Sequence, residues 1–311
     1  MEKVNVFGNN ISKITLGTVQ LGLNYGVNNK EGKPTTEKAF NILKTANDLG
    51  ITSFDTASDY GTSEKVIGDY FRETGFGNST VITKIGIRDK VKLSFNEVER
   101  KLYEEVENSL KNLGYQTLPI VLLHNPENLE SYFDEFEIVL RKMQKENLVK
   151  NYGVSIKEFT DIDTLLKSEL YTAVQCPLNV LNVKDATGGR IKMLKDKGFA
   201  VFVRSVFLQG LLFKDVNTLP NGVLQGAKEP LLRLRSLAEE ENLSIASLAI
   251  SYIRDLEGVT SLVMGAENED QVKENVSLIN VPKLSDRIRE KIVSAFSDIE
   301  PKILRPWLWY K

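Results

Sequence analysis

Short apolar runs alternate with helical patterns along the whole chain. Residues 14–19 form a first β-branched run, and a glycine-bearing loop from Gln20 to Gly26 follows. Apolar positions then recur at helical spacing over 36–49 (Ala39, Phe40, Leu43, Ala46), and Gly50 is a natural stop. The same reading predicts strands over 51–56, 81–84, 118–124, 152–155, 173–176, 200–205 and 259–264. Between them it predicts helices over 63–71, 94–113, 131–147, 161–167, 185–197, 229–241 with 244–256, and 268–278, with a last helix over 284–296. Ser94-Phe95-Asn96-Glu97 has the form of a capping box. The run 118–124 is almost continuously apolar, as in a strand covered on both faces.

Repeated strand-then-helix units imply parallel strands joined by helical crossovers, and eight of them close into a ring. The expected fold class is therefore α/β, a (β/α)8 TIM barrel with a parallel eight-stranded barrel and outer helices. A doubly wound open sheet would want a glycine-rich phosphate fingerprint after the first strand. Gly22-Leu23-Asn24-Tyr25-Gly26 does not match one. No composition shift or linker divides the chain, so one domain over 1–311 is expected.

Composition narrows the function classes. The 311 residues are 41% hydrophobic and 26% charged with a net charge of −2, which suits a soluble globular protein. Lys and Arg are spread along the chain, so there is no basic nucleic-acid footprint. No apolar run approaches the roughly 20 residues of a membrane span. The N-terminus lacks the apolar region of a signal peptide, and Cys176 is the one cysteine, which together point to a reducing cytoplasm. His124 is the one histidine, so a multi-His or Cys/His metal site is excluded by counting.

The polar residues at the ends of the apolar runs carry the chemistry. Asp55 ends the second strand, and Tyr60 lies in the loop behind it. Lys84 ends the third strand and His124 the fourth, with Ser155, Gln175 and Ser205 near the ends of the next three. Each alone has an ordinary reading: Asp55 capping a turn, Lys84 in an ion pair, His124 hydrogen-bonded in the core. Their shared position, one per strand end, places them on the rim where barrels do chemistry. A phenol titrates near pH ~10 when unperturbed. A nearby ammonium favours the phenolate, and a carboxylate holds that ammonium in place. Such a phenol can donate a proton and recover it, while the imidazole orients a carbonyl oxygen toward it. Hydride must come from elsewhere, which implies a nicotinamide cofactor.

The pattern Phe54-Asp55-Thr56-Ala57-x-x-Tyr60-Gly61, then Thr83-Lys84, then Leu122-Leu123-His124-Asn125-Pro126, resembles the aldo-keto reductase superfamily, and the match extends over nearly the whole chain. The resemblance implies a tetrad of Asp55, Tyr60, Lys84 and His124, with Tyr60 as general acid. It implies cofactor contacts at Ser155 and Gln175 to the nicotinamide amide, at Ser205, Leu208 and Gly210 to the pyrophosphate, and at Gly265, Gln271 and Asn275 to the adenosine. Asn179 also matches a familiar family position, with Leu178 replacing an aromatic residue before it. Ile156 departs from the family pattern, which commonly has Asn there. A second departure is Glu267, Glu269 and Asp270, where NADPH-preferring members often carry cations. The family default is NADP(H); these acids leave NAD(H) open.

The substrate implied is a small-molecule carbonyl or alcohol. The loop from Gly22 to Lys30 and the tail residues Trp307, Trp309 and Tyr310 suit a sugar or a small aldehyde. Two other readings remain at this level. One is a cofactor-sensing, non-catalytic regulatory subunit. The other is a barrel lyase using Lys84 as a Schiff-base amine, which Asp55 disfavours by keeping the amine charged.

Overall fold

Eight parallel strands close into a barrel in a computed structural model that describes residues 1–25, 29 and 32–309. In chain order the strands are β1 (Lys3–Val6), β2 (Asn9–Ser12), β3 (Ile14–Gly17), β4 (Ser53–Asp55), β5 (Thr80–Ile85), β6 (Leu118–Leu123), β7 (Val149–Ser155), β8 (Tyr171–Pro177), β9 (Ala200–Arg204) and β10 (Ser261–Gly265). β3 to β10 form the barrel in sequential order, with β10 closing onto β3 through Leu262↔Ile14 and its neighbours. This is the (β/α)8 architecture. β5 and β6 are buried at every position, because the barrel interior covers one face and the helices the other.

The helices follow local signals. The long helix Phe95–Leu113 starts at the expected capping box, where Glu97 Oε2 accepts from the Ser94 N–H at 2.8 Å. It stops at Gly114, which turns left-handed at φ +77. The single helix expected over 185–197 is instead two pieces, Val183–Thr187 and Arg190–Asp196. Gly188 and Gly189 lie between them, and Gly189 sits at φ +77, outside helical space. The helix expected over 131–147 runs from Phe133 to Lys145, and a separate turn, Pro126–Ser131, precedes it.

The hairpin β1–β2 is not foreshadowed by the hydrophobic pattern. Its turn places Phe7 at φ 51 and Gly8 at φ 81. Val6 and Ile11 from it pack with Ile82, Ile120, Leu122, Ala173, Ala200 and Phe202 inside the barrel. A ring of hydroxyls lies nearby, with Thr15 Oγ1 2.8 Å from Ser53 Oγ and 2.7 Å from Ser261 Oγ. The hairpin thus closes the N-terminal mouth, and the opposite mouth stays open. Among the described residues no helix is long and apolar enough to cross a membrane.

Candidate active site

The open mouth carries a layer of charge directly above the apolar filling. Register sets it: Asp55 pairs across from Ile82, Lys84 from Leu122, and Ser155 from Gln175. Lys84 is fully buried, and its Nζ lies 2.6 Å from Asp55 Oδ1 and donates to the Thr56 carbonyl at 3.0 Å. Burial pushes the ammonium toward neutrality, but the charge and hydrogen bond of Asp55 and the electrostatic attraction of the Tyr60 hydroxyl outweigh it, so the Lys84 pKa is raised. This amine is held charged, which removes it as a Schiff-base nucleophile. Gln175 Nε2 donates to the same Asp55 oxygen at 2.6 Å. The resemblance gives Gln175 a contact to the nicotinamide amide; its own amide nitrogen also anchors the ion pair, and the residue lines the cleft above.

Tyr60 lies over this pair. Lys84 Nζ is 5.1 Å from the centroid of its ring, and the His124 ring meets it edge-on with centroids 5.7 Å apart. All four residues of the expected tetrad therefore converge at one mouth. The electrostatics differ from the expectation. Burial raises the Tyr60 pKa, Lys84 and Arg204 lower it, Asp55 and Asp59 raise it, and the net direction is upward. The ammonium does not overcome desolvation, so the phenol keeps its proton at neutral pH.

Two glycines set the Tyr60 loop. A Cβ on Gly22 would stand 1.8 Å from the Tyr60 carbonyl oxygen, so only glycine permits this contact. Gly61 sits at φ +57, and a Cβ there would stand 2.5 Å from the Gly22 carbonyl oxygen.

Asp59 was not singled out by the sequence. Its Oδ1 is 3.1 Å from His124 Nδ1 and its Oδ2 is 3.4 Å from Arg88 Nε. Burial pushes the Asp59 carboxyl up, but the hydrogen bond and charge of His124 and the charge of Arg88 outweigh it and hold the pKa below the usual carboxylate range.

A cleft of about 790 Å³ opens above the tetrad. Asp55, Tyr60, His124, Ser155, Gln175, Ser205, Gly210, Gly265, Gln271 and Asn275 all line it. Lys84 lies beneath it. Leu208 does not line it: the residue is 1% exposed, belongs to the hydrophobic core, and borders a neighbouring cleft with Arg204 and Trp307. Gln271 and Asn275 each use one amide atom to hold the loop before them. Gln271 Oε1 accepts from the Glu267 N–H at 2.8 Å, and Asn275 Nδ2 donates to the Gly265 carbonyl at 3.1 Å. Ile156, the departure from the pattern, is fully buried, and its carbonyl accepts from Arg204 at 3.0 Å.

The cleft fits a dinucleotide on three observations. Gln20 Oε1 lines it, buried and without a hydrogen-bond partner among the described residues, an acceptor waiting for a donor. Gly17 and Gly265 line the same end, where a Cβ on Gly265 would stand 2.5 Å from Gln20 Nε2. Ser205, Leu208 and Gln209 all adopt positive φ beside Gly210, a strained run of the kind that accumulates at ligand clamps.

The tail is elsewhere. Trp309 is buried and donates to the Ile303 carbonyl at 3.0 Å, and Trp307 borders two smaller clefts. Tyr310, together with Gly26, Val27, Asn28 and Lys30 of the first loop, lies outside the described residues. Tyr25 does line the main cleft.

Residues 13–295 match the model of the aldo/keto reductase family. The NADH-specific methylglyoxal reductase of Escherichia coli is 26% identical over 305 residues, covering 89% of this chain and 92% of that protein. The fold superposes on the glycerol dehydrogenase of Gluconobacter oxydans with a TM-score of 0.78 at 20% identity, covering 96% of both chains. It superposes on the holo form of an aldo-keto reductase from Bacillus halodurans with a TM-score of 0.76 at 21% identity, covering 95% of this chain and 96% of that one.

Proposed function

The chain belongs to the aldo/keto reductase family, a family of nicotinamide-dependent oxidoreductases, and on that premise we propose that it interconverts a small carbonyl compound and its alcohol at Tyr60. The observation that carries this reading is the buried Lys84–Asp55 pair, 2.6 Å apart, beneath a phenol that opens on the cleft. A bound nicotinamide supplies or takes the hydride, which no side chain can.

Tyr60 gives its proton to the oxygen of the forming alcohol and takes it back in the reverse direction. Burial keeps that proton in place until the oxygen turns basic. Lys84, kept charged by Asp55, then stabilises the phenolate left behind. Gln175 and the Thr56 carbonyl keep the pair from rotating away. His124 orients the carbonyl oxygen. Ser155 is the residue for the nicotinamide amide, Ser205 and Gly210 serve the pyrophosphate, and Gln20, Gly265, Gln271 and Asn275 serve the adenosine.

The cofactor we assign is NAD(H) rather than the family default NADP(H). Glu267 lines the cleft, and Lys273, one turn into the helix that follows, is 2.8 Å from Asp270 and already paired. A carboxylate here repels a 2′-phosphate and accepts from a ribose hydroxyl. The Escherichia coli relative described as NADH-specific agrees with this assignment. Tyr25 and Asn125, which line the same cleft as Tyr60, suit a small polar carbonyl compound such as a sugar aldehyde.

The test follows NADH and NADPH fluorescence with a panel of short aldehydes and aldoses. Turnover with NADH is expected, with a lower dissociation constant for NADH than for NADPH. Tyr60→Phe is expected to lose turnover by about 10²-fold or more while still binding NADH. Undiminished turnover in that variant removes Tyr60 as the acid.

A further inference from the structure

His124 is the chain's one histidine, and its ring is held from one side. Nδ1 lies 3.1 Å from Asp59 Oδ1. Asp59 is braced in turn: Arg88 Nε is 3.4 Å from its Oδ2, and Arg88 Nη1 donates to Glu105 Oε1 at 3.1 Å. The other oxygen of Glu105 takes the Ser58 hydroxyl. This chain of contacts lies beside the tetrad: Asp59 meets it at the imidazole, and the Ser58 N–H donates to the Lys84 carbonyl at 3.0 Å.

Hydrogen-bond inventory decides what the contact means. An ionised carboxylate accepts and cannot donate, so the contact places a proton on Nδ1. A neutral imidazole carries one N–H, which leaves Nε2 a bare lone pair. A lone pair cannot orient a carbonyl oxygen; two acceptors would face each other. Donation from Nε2 then needs the second proton. We infer that Asp59 is a positioning residue that makes the imidazolium of His124, rather than the neutral ring, the form that holds the substrate oxygen. The role rests on the carbonyl chemistry proposed above; the Asp59–His124 contact does not. No proton leaves His124 in the reaction: Nε2–H donates a hydrogen bond, and Tyr60 provides the transferred proton.

The other charges near the ring leave this logic intact. Arg88 faces Asp59 and not the imidazole. Lys84 and Asp55 are paired with each other under Tyr60, and of the two cations that line the same cleft, Lys157 and Arg204, Lys157 is paired with Glu127 rather than with Asp59. Asp59 is the carboxylate in contact with the ring.

A single histidine makes the experiment direct, because the imidazole NMR signals need no assignment. In the parent protein the imidazolium is expected to persist to higher pH than in Asp59→Asn, because the carboxylate is the acceptor on Nδ1. In Arg88→Gln, which strips a cation from Asp59, it is expected to persist at least as high as in the parent. In the parent, kcat/KM for reduction of a neutral aldehyde falls as pH rises through the NMR midpoint. In Asp59→Asn that limb flattens, because the Asn amide can donate to Nδ1 and leave the proton of a neutral ring on Nε2. Equal midpoints in parent and Asp59→Asn overturn the role alone. A shifted midpoint with no carbonyl turnover in the parent brings down the reading of the site, and this role with it. An equal loss of kcat/KM at every pH marks a merely structural Asp59 and also overturns the role.

Discussion

The two mouths of the barrel bury polar groups in opposite ways. At the N-terminal mouth the hairpin β1–β2 seats Val6 and Ile11 on the apolar filling, and the polar atoms there are neutral hydroxyls that satisfy one another. At the C-terminal mouth an ion pair, an amide and a phenol share one small space under an open cleft. A buried neutral group left unpaired costs about 1–3 kcal/mol. A buried charge left unpaired costs about 3–5 kcal/mol. The closed mouth is thus built for stability, and the open mouth holds charges that stability alone would replace with hydrocarbon.

The sharpest way to break this contrast is Lys84→Met. Carbonyl turnover is expected to fall below detection, and urea unfolding should show a loss of about 3–5 kcal/mol, because Asp55 is left buried and unpaired. Adding Asp55→Asn should recover most of the stability and none of the turnover. Recovery of turnover in the double variant would mean the charges serve folding only. The counterpart at the other mouth is Ile11→Ala. It removes a fully buried side chain, so a loss of about 2–5 kcal/mol is expected in urea unfolding. Its KM for aldehyde at temperatures where it stays folded should move little, since Ile11 does not line the cleft.

How much of this was legible in the sequence divides along the same line. The barrel was legible because its strands are short, apolar and buried on both faces, as in Leu118–Leu123. The tetrad was legible because a strand end is a fixed address in such a barrel. The hairpin was not, since four-residue strands with one exposed face leave too few positions for a period to register. The break at Gly188–Gly189 competed with a good apolar pattern on either side, and the glycines won. Gln175 was placed at a strand end and given a cofactor contact by resemblance, whereas its hydrogen-bond partner Asp55 lies 120 positions away, which no local pattern shows. Asp59 stood in plain view beside Tyr60, but only the close approach of the loop that ends β6 gives it His124. The upward shift of Tyr60 reflects burial, which a sequence does not carry.

The interlock of Gly22 with the Tyr60 carbonyl has a consequence of its own. The segment that bears Gly22 and the loop that bears the proton donor approach each other backbone to backbone. A substituent at Gly22 would have to push the Tyr60 carbonyl aside, so the aim of the acid depends on a residue that brings no chemistry of its own.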